Sequence, residues 1–312
     1  MSDIIALGEP MIEFNQRHAG DIHYLQGFGG DTSNFAIAAA RQGASVGYIT
    51  RIGDDAFGRM FIDLWTREGV DVTGVASDAD AFTAAYFVTH DADGHHFAFL
   101  RTGSAASRMT PGSMPTALIT RANFLHASGI SQAISASACD TVFAAIDAAR
   151  DACVRVSYDA NLRLRLWPVA RARAIIGETI KLSDYLFASL EDGEALCGRR
   201  DPDGIVDWCF AKGARAVLMK LGAEGVMVAS SPDAERVHLP GVRVGAVDYR
   251  RRRLLRRCAG RASCRRRRSA CGCALRQCRC CPRHDVVRRG RADSDAGRRP
   301  GASPEATATR SS

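Results

Sequence analysis

Four short polar clusters in this 312-residue chain have residue types and spacing that could do chemistry, and each follows an apolar run. Gly29-Gly30-Asp31-Thr32-Ser33-Asn34 could bring backbone N–H groups and a helix N-terminus against the hydroxyls or carboxylate of a small ligand. As a glycine turn with capping side chains it needs no function. Asp159-Ala160-Asn161-Leu162-Arg163 places three polar side chains on alternate positions, which can point them to one side, and salt bridging within a loop explains it equally. Ser189 and Asp192 open a helix. Lys220-Leu221-Gly222-Ala223-Glu224-Gly225 could pass close to phosphates, or be a plain hairpin turn. Outside these clusters, Arg101 carries a planar fork suited to an anion, and a surface arginine is the other reading.

The surrounding pattern supplies elements to hold such groups. Apolar runs at 4–7, 46–49, 124–127, 154–158, 185–188, 216–220 and 225–229, with a short one at 70–72, read as strands. Helical spacing follows at 35–44, behind capping side chains at Asp31 to Asn34, and again at 59–68, 138–151, 170–181, 190–197 and 203–211. Strand and helix alternate across short loops, which predicts an α/β fold with a doubly wound, mostly parallel sheet and right-handed crossovers. Ligands in such sheets bind beyond the carboxyl ends of the strands, where the four clusters fall. Residues 82–101 break the rhythm, because two β-rich runs flank Asp91-Ala92-Asp93-Gly94, which is hairpin chemistry. With the short, exposed strands expected in 11–28, this hairpin would form a small β lid over a site.

Composition divides the chain at Asp248/Tyr249. Residues 249–312 hold 20 Arg, no Lys and 4 acids, a net charge of +16, whereas residues 1–248 carry −8. The acidic body argues against a nucleic-acid surface there. Cys139, Cys153, Cys197 and Cys209 lack paired or metal-ligand spacing, so buried reduced thiols in a cytoplasmic protein are expected. The start, MSDIIALGEP, has acid where a signal peptide has positive charge, and no apolar run reaches the roughly 18 residues of a membrane span. The expected organisation is one domain over 1–248 and an aberrant, disordered tail over 249–312.

The order of the pieces says more than any one of them. GEPMIEF, GGDTSNFAIAAARQGASVGYITRIGDDAFGR, RTGSAASRMTP, FLHASGIS, DANLRLRLW, FASLEDGEAL and VLMKLGAEGVMV together resemble the ribokinase-like (PfkB) carbohydrate kinases, and within them the 2-keto-3-deoxygluconate kinases. The resemblance spans Ile4 to Asp248. It implies phosphoryl transfer from MgATP, with a monovalent cation as an optional second ion, to the terminal hydroxyl of a sugar acid. It puts Gly30, Asn34, Tyr86, Arg101 and Arg163 at the substrate, with Tyr86 and Arg101 on the lid and Arg163 at the carboxylate. It puts Asn161, Ser189, Lys220, Gly222 and Gly225 at the nucleotide and phosphates, and gives Asp192 an indirect role in organising magnesium. Ser189 and Asp192 stand where the family has N-x-x-E, and Phe99 replaces a Tyr sometimes found on the lid. The implied partners are the sugar acid, ATP and further copies of the chain through the lid, with neither membrane nor specific nucleic acid. A fructokinase or ribokinase-like activity, and a sugar-acid-binding protein without catalysis, are the alternatives.

The family continues after V-D with T-G-A-G-D, whose glycines make an anion hole at a helix N-terminus and whose Asp is the general base. Here Tyr249 and arginines follow Asp248, so no catalytic base is assigned. Tyr249 to Cys258 can be written TAC CGG CGC CGG CGA CTG CTT CGC CGG TGC. Read from the second base, that gives T-G-A-G-D-C-F-A-G. The same shift permits L-A-A-A-L-C-A-N-A-A-A from Ala270 to Cys281 and D-T-T-S-Y-G-A-V-A-P-I-P from Arg283 to Asp295. A slipped reading frame explains all three in register. A nucleic-acid arm is the weaker reading, since the tail has no Phe or Trp for stacking. A zinc module is weaker still, since Cys271-x-Cys273 and Cys278-x-Cys280-Cys281 lack two C-x₂-C pairs. Sequencing the gene across this junction should find arginine codons that convert to the missing motif one base later; codons that do not convert would refute the slip.

Overall fold

The computed structural model describes residues 2–242, so the tail and its frame-slip reading lie outside the described residues. In chain order the strands begin with β1 (Ile4–Leu7), β2 (Met11–Gln16) and β3 (Tyr24–Gly29), followed by helix α1 (Asp31–Arg41). Next come β4 (Val46–Gly53), α2 (Ala56–Arg67), β5 (Val70–Asp71), β6 (Val75–Asp78), β7 (Ala85–Asp91) and β8 (Gly94–Leu100). The second half runs α3 (Thr116–Thr120), β9 (Phe124–Ser128), α4 (Gly129–Ala133), α5 (Ala136–Asp151), β10 (Arg155–Asp159), α6 (Val169–Lys181) and β11 (Tyr185–Ser189). It ends with α7 (Leu190–Cys197), α8 (Pro202–Ala211), β12 (Val217–Lys220), β13 (Gly225–Ala229) and β14 (Val237–Pro240).

Ten strands form the main sheet in the order β14-β13-β12-β11-β10-β9-β1-β4-β5, with β6 also on β4. Pairing is parallel from β12 across to β5 and antiparallel only for β12–β13 and β13–β14. The chain winds one way from β1 through β4 and then the other way from β9, so the order reverses beside β1. At such a reversal the flanking crossovers diverge and leave a crevice at the carboxyl edge. The period-2 alternation of β1 serves both faces: Ile5 and Leu7 enter one core with Leu125, Ile146 and Ile176. Ile4 and Ala6 enter the other with Tyr48, Phe61 and Trp65. A strand buried on both faces has to be apolar throughout, as IIAL is.

Strands β3-β2-β7-β8 form a second sheet of four, antiparallel except for β2–β7. The expected short, exposed strand in the first run is corrected, because Met11, Ile12 and Glu13 are buried where β2 leaves the main core. The thiols are corrected too: Cys139 and Cys209 are buried, but Cys153 is exposed and Cys197 only partly covered, and all four are free. Among the described residues, no helix is long and apolar enough to cross a membrane.

His126 on β9 is enclosed between α1 and the neighbouring strands. Its ring stacks on Phe35 with centroids 3.6 Å apart, and its Nδ1 lies 3.0 Å from Ser157 Oγ. Burial pushes it from 6.5 down to about 4, with Lys220 adding to the fall and Asp159 and Asp31 opposing it. A folded pKa below the unfolded one means that the unfolded chain binds the extra proton between about pH 6.5 and 4. Stability is therefore lost as pH falls through that window, by up to about 3 kcal/mol from this residue. Denaturant melts at pH 6.5 and 4.5 should show a larger loss in the natural chain than in His126→Gln; equal losses would contradict the assignment.

Candidate functional site

The carboxyl edge of the main sheet, at the reversal beside β1, collects most of the polar residues singled out in the sequence. Glu9 leaves β1 with its side chain fully buried and pairs with the Arg101 guanidinium, which follows β8 of the second sheet. The other Glu9 oxygen accepts from Ser104 Oγ at 2.9 Å. Burial raises the pKa of Glu9 and the Arg101 charge opposes that rise. Arg101 also lies 5.7 Å over the Phe99 ring, and its Nε is buried without a hydrogen-bond partner among the described residues.

Gly30 comes against Glu9 from the other side. Its φ of +91° suits glycine, and a Cβ there would overlap the Glu9 carbonyl oxygen. This alters the expected helix start. The cap of α1 is Gly30, with no side-chain capping bond, and Asp31 lies inside the first turn, its Oδ1 accepting from the Thr32 amide at 2.9 Å. The Gly30 carbonyl accepts from the Asn34 amide at 3.0 Å, so the two residues are joined by the first helical bond. Tyr86 packs against Gly29 and donates to the buried Glu13 carboxylate. Phe99 sits beside Tyr86 at 5.8 Å between ring centroids.

The loop after β10 does not keep its expected alternation. Asn161 takes a left-handed φ of +32°, which turns the chain after Asp159. Its three polar side chains separate as a result. Asp159 accepts from Lys220 Nζ at 2.7 and 2.9 Å, linking the ends of β10 and β12. Asn161 is buried and donates to Asp31 Oδ2 at 2.6 Å, which joins this loop to α1. Arg163 is exposed; its Nη1 donates to the Leu162 carbonyl at 2.6 Å, and it pairs with no carboxylate among the described residues. Two residues on, Arg165 reaches the Phe97 carbonyl at 3.5 Å, so the loop passes beside β8.

Ser189 and Asp192 form a reciprocal capping box at the start of α7. Asp192 is buried, and its second oxygen accepts from the Leu162 amide at 3.1 Å. Both carboxylate oxygens thus hold backbone N–H groups, which suits an indirect part toward a cation better than direct ligation. Lys220, Gly222 and Gly225 occupy the β12–β13 hairpin, as a turn reading also allowed. Gly222 has a φ of +61° with open space where a Cβ would stand, and a Cβ on Gly225 would overlap the Leu239 carbonyl. No group of three or more metal-ligating side chains occurs among the described residues.

One connected web therefore contains Arg101, Gly30, Asn161, Lys220, Ser189 and Asp192, linked through Glu9, Asp31 and Asp159. Sequence reasoning missed these three carboxylates as partners. The only signal for Glu9 was a lone acid straight after a buried strand, in Gly8-Glu9-Pro10. Arg163 belongs to the loop but stays outside the web.

Comparison with known proteins fits this geometry. The pfkB family carbohydrate kinase profile matches residues 1–249. A 2-dehydro-3-deoxygluconokinase of Thermoproteus tenax is 36% identical over 242 residues, covering 73% of this chain and 72% of that protein. The crystal structure of a PfkB protein from Polaromonas sp. JS666 superposes with a TM-score of 0.73 at 31% identity, over 78% of this chain and 84% of that one. A Xylella fastidiosa fructokinase with bound ATP superposes at 0.70 and 25% identity, over 80% and 77% of the two chains. With a ribokinase-like sheet and a matching profile over four-fifths of its length, the chain belongs to the pfkB family of carbohydrate kinases.

Proposed function

We propose that the gene encodes an ATP-dependent kinase that phosphorylates the terminal hydroxyl of 2-keto-3-deoxygluconate, and that the chain as translated retains the substrate side of the site without its transfer chemistry. The observation that carries the sugar-acid reading is Arg163, a guanidinium at the carboxyl edge of the sheet without a carboxylate partner among the described residues. A neutral sugar needs no such charge, whereas a carboxylate matches the planar fork of donors. The similarity to a 2-dehydro-3-deoxygluconokinase supports the same choice. The similarity to a fructokinase keeps a neutral hexose as the second reading.

In this reading Gly30 and Asn34 receive substrate hydroxyls at the start of α1, and Tyr86 and Arg101 close over them from the second sheet. The open turn at Gly222 fits a nucleotide, and Lys220, Gly222 and Gly225 would hold it. Asn161 and Ser189 face the phosphates, and Asp192 orders the cation through the backbone that it braces. Bound MgATP supplies the phosphoryl group. The missing element is a base at the accepting hydroxyl and an anion hole beside it, which the shifted frame after Asp248 would encode as T-G-A-G-D.

Coupled ADP-release assays should compare the chain as translated with its frame-restored form, on 2-keto-3-deoxygluconate, fructose and ribose. The restored form should prefer the acid by at least tenfold in kcat/KM, and the translated chain should be about 10⁴-fold slower, given the usual worth of a general base and an oxyanion hole. Normal turnover by the translated chain would refute the base assignment, preference for fructose would refute the substrate, and calorimetric binding without ADP from the restored form would make it a binding protein.

A further inference from the structure

The two arginines assigned to the substrate differ in how their charge is matched. The Arg101 side chain is only 10% exposed and faces a Glu9 carboxylate that is 0% exposed, so the two form a desolvated pair of zero net charge. Arg163 is exposed and has no carboxylate beside it among the described residues. We propose that Glu9 divides the labour between them: it neutralises and positions Arg101 as a hydrogen-bond donor to an uncharged substrate oxygen, and so leaves Arg163 as the receptor for the substrate carboxylate. This rests on the sugar-acid reading given above and specifies which group takes which end.

Charge balance is the first argument. A carboxylate brought to Arg101 would stand close to Glu9 as well, and Asp31 already acts on Glu9 with the same sign. In a site of low dielectric the repulsion from Glu9 would offset much of the attraction to Arg101. A hydroxyl or keto oxygen meets no such opposition. Unmet donors are the second argument. Arg101 gives Glu9 one N–H, from Nη2, while its Nε is enclosed without an acceptor among the described residues. An enclosed N–H without a partner is costly and is rare in folded proteins unless a ligand or water completes it. The side chain is not fully enclosed, since a tenth of it stays exposed. Ser104 fixes the arrangement, since its hydroxyl holds the second Glu9 oxygen at 2.9 Å and its amide donates to the Arg101 carbonyl at 3.0 Å. Glu9 acts through Arg101, so it is a positioning residue.

Calorimetric titration of the full chain with 2-keto-3-deoxygluconate and with fructose tests this, because binding needs no catalytic base. Arg163→Gln should weaken the acid at least tenfold and leave fructose within about twofold. Arg101→Gln should weaken both ligands by similar factors. Glu9→Gln uncovers the Arg101 charge and should tighten the acid severalfold without tightening fructose. A merely structural Glu9 would instead weaken both alike, and that result overturns the proposal. So does loss of acid binding alone in Arg101→Gln with none in Arg163→Gln. If Glu9→Gln fails to fold by circular dichroism, the two arginine variants still decide. Fructose bound in preference to the acid by the natural chain would refute the substrate reading, and the division with it.

Discussion

The ion pair between Glu9 and Arg101 is the constraint on which the site depends, because it is a buried bond between the two sheets. Glu9 belongs to the main sheet by way of β1, the strand on which both cores close. Arg101 belongs to the second sheet by way of β8. A desolvated charge tolerates no loose partner, so the pair fixes where the second sheet meets the crevice. The neighbouring glycines follow from it. A Cβ at Gly8 would strike Ser131 and Thr32, and one at Gly30 would strike the Glu9 carbonyl. Only a bare backbone lets β1, α1 and the second sheet converge there.

From that point the web runs along the carboxyl edge through Asp31, Asn161, Asp159 and Lys220 to the β12–β13 hairpin. Each step joins a different strand end, so side chains far apart in sequence share one surface. In the function proposed here, that edge orients a sugar and holds a nucleotide turn. Phosphoryl transfer asks for something more, namely a base for the hydroxyl and N–H groups aimed at the developing charge. These are the parts that the family motif supplies and that the residues after Asp248 do not spell.

Much of this was legible in the sequence, because it is local. The apolar runs gave the parallel strands, Asp91 to Gly94 gave the β7–β8 turn, and Ser189 gave the α7 cap. The residues proposed for the substrate came from motif order and resemblance. What could not be read was long range or backbone-specific. Glu9 and Arg101 lie 92 residues apart, and Asp31 and Asn161 130 apart, so no local pattern pairs them. The left-handed turn at Asn161 cancels the alternation that Asp159, Asn161 and Arg163 suggest. Strands β6 and β14, with four residues each, are too short for a periodicity to declare.

A double-mutant cycle on Glu9→Gln and Arg101→Gln, read by denaturant unfolding, tests the account most directly. If the pair is the buried bond between the sheets, each single change should cost about 3–5 kcal/mol by stranding the other charge, and the double change should cost clearly less than their sum. Additive single losses below about 1 kcal/mol, as for solvated surface charges, would contradict it.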